Sequence, residues 1–185
     1  MAVNLIPRRI TVDEYQKMAE VGILAEDERT ELINGEIIQM SAIGGDHVEA
    51  VSRLIVPLVR AVGTEWRVNP QSPIALPPYG EPEPDFSVVR ARSYRGQVPR
   101  PDDVLLVIEV SDTSLRYDRE TKLPMYAEYG IPEAWIVDIN GKTITRYSEP
   151  VSRAYAVGKS AGPGMELGSI VLPALTIRVD EILDL

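Results

Sequence analysis

A chain of 185 residues, 44% hydrophobic and 25% charged, is long enough to bury a real core and too apolar for bulk disorder. Its lack of cysteine excludes a disulfide framework and thiolate metal sites, and its net charge of -9 argues against non-specific coating of nucleic acid. No stretch approaches the ~18 apolar residues of a membrane span, and MAVNLIPRRITVDEY has no continuous apolar leader segment. The expectation is one soluble, cytoplasmic domain spanning 1–185, with no membrane partner.

Thr11-Val12-Asp13-Glu14 matches a capping box, which predicts a helix from Val12 to about Val21. In TELINGEIIQM, Asn34-Gly35 separates two alternating apolar arms, the pattern of a type I′ hairpin. From Asp46 to Val62, the residues Val48, Val51, Leu54, Ile55, Leu58, Val59 and Val62 recur at helical spacing, and Pro57 is expected to kink that helix. Trp66 to Leu76 reads as extended, with Pro70 and Pro73 placing it near a sheet edge. DFSVVR is a short strand, and a polar connection from Ala91 to Asp102 leads to the strand VLLVIEVS. A helix around Thr121 to Tyr129 follows, limited at its start by Pro124. AWIVDI, a turn at Asn140-Gly141 and TITRYSE come next. The tail is expected to hold one or two strands, a turn at Gly162-Pro163-Gly164 and a short terminal helix. These elements predict an α/β fold with a mixed sheet.

Glu109 interrupts the aliphatic run of VLLVIEVS, and an unpaired buried carboxylate is costly. If DFSVVR and VLLVIEVS are antiparallel neighbours, Asp85 at the start of one meets Glu109 near the end of the other. Two such acids can share one hard cation, with the Val110 carbonyl as a further oxygen ligand. Alternatively Glu109 reaches solvent at the strand end or pairs with an arginine. Lys122, near the start of the next helix, can extend its ammonium toward the carboxylates or lie solvated at the surface. Asp118 reads as a helix N-cap, with contact to Lys122 as the alternative.

Pro84-Asp85, the strand end Glu109-Val110-Ser111 and Lys122 on the following helix together resemble the PD-(D/E)XK nuclease superfamily. More closely, the chain is similar to the restriction-endonuclease-like Uma-type ("Uma-two") family. RTELINGEIIQM, GGDHVEAV, VNPQSPI, PEPDFSVV, LLVIEVSDTS and RYDRETKLPMYAEYGIPEAWIVD carry that resemblance in order. Ser111 stands where the superfamily has a lysine, and the resemblance implies that Lys122 has taken over its role. It further implies that Glu31 is an additional acid of the site, that His47 occupies a family position at the start of the long helix, and that Gln71 matches the extended segment.

These readings imply a restriction-endonuclease-like fold: a mixed sheet flanked by helices, preceded by a helix and a hairpin. The expected activity is hydrolysis of DNA phosphodiester bonds with Mg²⁺, or Mn²⁺ in its place. Asp85, Glu109 and Val110 would hold the metal, and Asp85, Glu109, Lys122, Glu31 and His47 would form the catalytic group. The expected partners are DNA and a second copy of the chain, as a homodimer. The alternative is a nuclease fold kept for binding or assembly without catalysis.

Overall fold

The computed structural model describes residues 7–25 and 27–184. The chain divides into a smaller unit, formed by residues up to Ser41 with Ala75–Pro82, and a larger one, formed by Ala42–Ile74 and Glu83 onward.

In the smaller unit, helix α1 (Val12–Glu20) starts at the Thr11 cap, and both arms of the capping box are made with Glu14. Strands β1 (Thr30–Ile33) and β2 (Glu36–Gln39) form the expected hairpin. Asn34 and Gly35 both take positive φ, 52° and 84°, as a type I′ turn requires. A side chain at position 35 would also collide with Arg9, whose Cβ is 2.6 Å from where that Cβ would stand. Tyr15 joins helix to hairpin by donating its hydroxyl to the Thr30 carbonyl at 2.9 Å.

In the larger unit, six strands run in the order β3 (Trp66–Pro70), β4 (Phe86–Arg90), β5 (Val104–Ser111), β6 (Glu133–Asp138), β7 (Thr143–Val151) and β8 (Ala154–Ala161). All neighbours are antiparallel except β5 and β6, which are parallel and joined by a helical crossover. β3 is an edge strand, where Pro70 is tolerated. The crossover consists of α3 (Leu115–Tyr117), a π turn (Asp118–Lys122) and α4 (Leu123–Glu128).

One face of the sheet carries Phe86, Val88, Leu106, Ile108, Val110, Trp135 and Val137 into the core. Helix α2 (Gly45–Ala61) covers that core with Ala50, Leu54, Leu58 and Ala61. The strands β9 (Glu166–Gly168) and β10 (Thr176–Arg178) pair with each other, and helix α5 (Val179–Leu183) adds Val179 and Ile182 to the core. β5 is buried on both faces, which is why it reads as a continuous aliphatic run rather than an alternation.

Three expectations need correction. Helical structure begins at Leu115, not near Thr121. Pro124 has no N–H to give, and just before it the Leu123 N–H reaches back five residues to the Asp118 carbonyl. The ladder widens where proline would break it, so the helix need not stop. The tail holds three strands, not one or two. β8 was hidden because its residues are small and mostly exposed, leaving no apolar alternation to detect. Finally, Val48, Ile55 and Val59 of α2 are exposed, although they share the helical period of the buried set.

Candidate active site

The pairing of Phe86 with Ile108 sets Asp85, one residue before β4, across from Glu109. β4 stops pairing there, and the Asp85 side chain takes the place of a backbone partner. Its Oδ2 accepts from the Val110 N–H at 2.8 Å. On its other oxygen, Oδ1, His47 Nε2 lies at 3.0 Å. His47 is in the first turn of α2, so the helix start and the strand ends meet at this carboxylate.

Glu109 lies in the buried row of β5 and is reached from the crossover helix. Lys122 Nζ is 3.4 Å from Glu109 Oε1, and both side chains are 6% exposed. The Tyr126 hydroxyl donates to the same oxygen at 2.5 Å. Four residues before Lys122, Asp118 Oδ2 accepts from the hydroxyls of Ser111, at 2.7 Å, and Ser114, at 2.6 Å. Asp118, Lys122 and Tyr126 are thus four apart and all buried on the helical run. The π turn holds the first two. Such turns often mark functional positions.

Asp118 is therefore not the helix N-cap that its sequence position suggested. Ser114 is the cap residue of α3, and Asp118 is buried one turn further in. Tyr126 was missed altogether. The signal was available, since Lys122 and Tyr126 stand at helical spacing, but a tyrosine in an apolar helix reads as core.

Burial pushes the Asp118 carboxyl above its ordinary value of 3.8, and the Asp85 charge adds to the rise. The hydroxyl of Ser114, the Lys122 charge and the Ser111 hydroxyl pull the other way without cancelling it. A raised folded-state value gives stability that is complete below the unfolded value and is lost as pH rises through the folded one. Asp118→Asn keeps an acceptor for both serines and has no charge to bury. Its melting temperature should exceed that of the wild type at pH 7, and the gain should shrink below pH 3.8. A gain that is equal at both pH values, or a loss at pH 7, would refute this account of Asp118.

The donor set suits a hard divalent cation. Val110 directs its N–H to Asp85, and the N–H and C=O of one strand residue face the same side. The Ser111 carbonyl, by contrast, accepts from the Ile139 N–H on the β6 side. Asp85, Glu109 and the Val110 carbonyl therefore bring oxygen donors to one strand end. Among the described residues, no three His, Asp or Glu side chains form a ligand cluster. That is compatible with Mg²⁺, which is usually held by one or two carboxylates and completes its shell with water and phosphate.

Glu31 lies in the smaller unit, buried on β1 opposite Ile38. Gln71 is exposed just after β3, with φ 41°, and donates its N–H to the Asp85 carbonyl at 3.0 Å.

The family described as "Uma2: Putative restriction endonuclease" matches residues 12–180. The chain belongs to the Uma2 family. A crystal structure described as that of "a putative nuclease belonging to DUF820", from Anabaena variabilis, has the same fold, with a TM-score of 0.73. The two share 17% sequence identity, and the match covers 95% of this chain and 98% of the other. No curated protein matches the chain. At this identity the structural likeness carries the fold and no residue roles. Among the described residues, no helix is long and apolar enough to cross a membrane.

Proposed function

We propose that this Uma2 protein is a divalent-metal-dependent DNA endonuclease acting at the end of β5. One observation carries the reading: a buried ammonium, Lys122, lies 3.4 Å from Glu109, whose strand neighbour Val110 binds Asp85. Asp85, Glu109 and the Val110 carbonyl would hold Mg²⁺ or Mn²⁺. When bound, such an ion polarises a phosphate oxygen and acidifies a water. His47 fixes the orientation of the Asp85 carboxylate at Oδ1, and Tyr126 does the same for Glu109 at Oε1. Lys122 orients the attacking water and offsets charge that grows on the phosphorus oxygens as the bond breaks. An ammonium suits that role because it is compact and can turn its three protons as the charge develops.

A second reading is a nuclease fold that binds without cutting. It is favoured by the internal satisfaction of the acids: both Asp85 oxygens and one Glu109 oxygen already have protein partners. The two readings differ in what an ion does to DNA binding. In a protein of net charge -9, an unfilled acidic site repels phosphate and a filled one attracts it. Labelled duplex titrated at fixed salt should therefore bind more tightly with Ca²⁺, a non-cleaving substitute, than without it. Equal affinity in both conditions would contradict metal-mediated phosphate capture and leave the non-cutting module as the better reading.

A further inference from the structure

Residues 86–101 carry four arginines, Arg90, Arg92, Arg95 and Arg100, and no aspartate or glutamate, in a chain of net charge -9. All four are exposed. They lie at the end of β4 and on the loop after it, joined there by Arg67 of β3. Tyr94 has two guanidiniums against its ring, Arg67 at 4.8 Å and Arg92 at 4.5 Å from the centroid. One carboxylate, Asp103, serves this pair by accepting two hydrogen bonds from Arg92, at 3.0 and 2.7 Å. Arg67 Nε is buried without a hydrogen-bond partner. Arg90 stacks over Trp66 at 5.0 Å.

The two guanidiniums that share the Tyr94 ring are like charges, and the ring and Asp103 oppose their repulsion. A bound polyanion would oppose it further. The rings also pre-organise the guanidiniums, so less side-chain freedom is lost when an anion binds.

We infer that this arginine face grips the backbone phosphates of duplex DNA beside the cleavage centre. The inference rests on the nuclease reading and gives it a second, chemically separate contact. β4 links the two places: Asp85 stands just before its start and Arg90 at its end. Five strand residues span about 17 Å. Successive phosphates of one DNA strand advance about 3.4 Å along the duplex axis. A duplex lying along β4 would therefore set the arginines against phosphates roughly five nucleotides from the scissile one. An otherwise acidic protein would hold its substrate by this patch and by the ion-filled pocket together.

The test is the salt dependence of duplex binding, measured by fluorescence anisotropy in Ca²⁺ over a series of NaCl concentrations. The variant carries Arg90→Gln, Arg95→Gln and Arg100→Gln, three exposed changes that remove charge and keep polarity. Each lost phosphate contact flattens the slope of log K against log salt by about 0.9. The triple variant should therefore show a slope shallower by about 2.7, weaker binding at low salt, and an unchanged single-turnover cleavage rate at saturating protein with Mg²⁺. A wild-type slope in the variant, with the wild type binding and cutting normally, would overturn the arginine assignment alone. A wild type that neither binds nor cuts duplex would overturn the nuclease reading, and this inference with it.

Discussion

Lys122→Met should slow DNA cleavage by about 10²–10³-fold, the usual loss when one electrostatic contact to a transition state is removed. Methionine keeps the length of the side chain and none of its charge. The ammonium is buried beside Glu109, away from bulk water, where a charge acts more strongly than at the surface. Metal and DNA binding should change little, because Asp85, Glu109 and the Val110 carbonyl all remain. Glu109 keeps its hydrogen bond from Tyr126 but loses its buried cation, so the variant should also melt lower than the wild type. The rate is therefore best taken by single-turnover cleavage of labelled duplex well below the melting temperature. A near-normal rate there would transfer the role to another group, His47 being the nearest on Asp85.

Trp135→Ala should cost about 3–5 kcal/mol of stability, the range for truncating a large buried aromatic. Trp135 is fully buried on β6, in the middle of the sheet. Its indole donates to Glu133 Oε1 at 2.7 Å. The other oxygen of Glu133 accepts from the Ile170 N–H at 2.8 Å. Alanine would leave a cavity and take away one partner of a buried carboxylate that anchors the 169–172 loop. Thermal melts should fall by on the order of 10 °C. A shift of a degree or two would mean that the core collapses around the gap, or that Glu133 finds another donor.

Much of the fold could be read in the chain because local chemistry and tertiary placement agree. The Thr11 capping box, the Asn34-Gly35 turn and the proline-limited edge strand β3 each have a local cause that the tertiary structure keeps. VLLVIEVS announced a strand buried on both faces, and Glu109 within it pointed to a compensating charge. The compensation includes Lys122 and also the Tyr126 hydroxyl, from a residue one helical turn on that reads as core. Pro124 argued for a late helix start, whereas a widened turn lets the helical run begin at Leu115 and bury Asp118 and Lys122 together. In α2, apolar spacing could not separate the buried Leu54 and Leu58 from the exposed Ile55 and Val59, since both pairs recur at the same interval. Which stripe faces the core depends on what packs against it, and that is not local information.

Conversion of supercoiled plasmid is the most direct measurement of metal-dependent cleavage at the end of β5. Wild-type protein with Mg²⁺ or Mn²⁺ should yield open-circular and then linear DNA. Chelation of the ion should stop the reaction, and Asp85→Ala, folded by its melting curve, should yield neither product under the same conditions. No conversion by the wild type with either ion, or equal conversion by Asp85→Ala, would contradict the account.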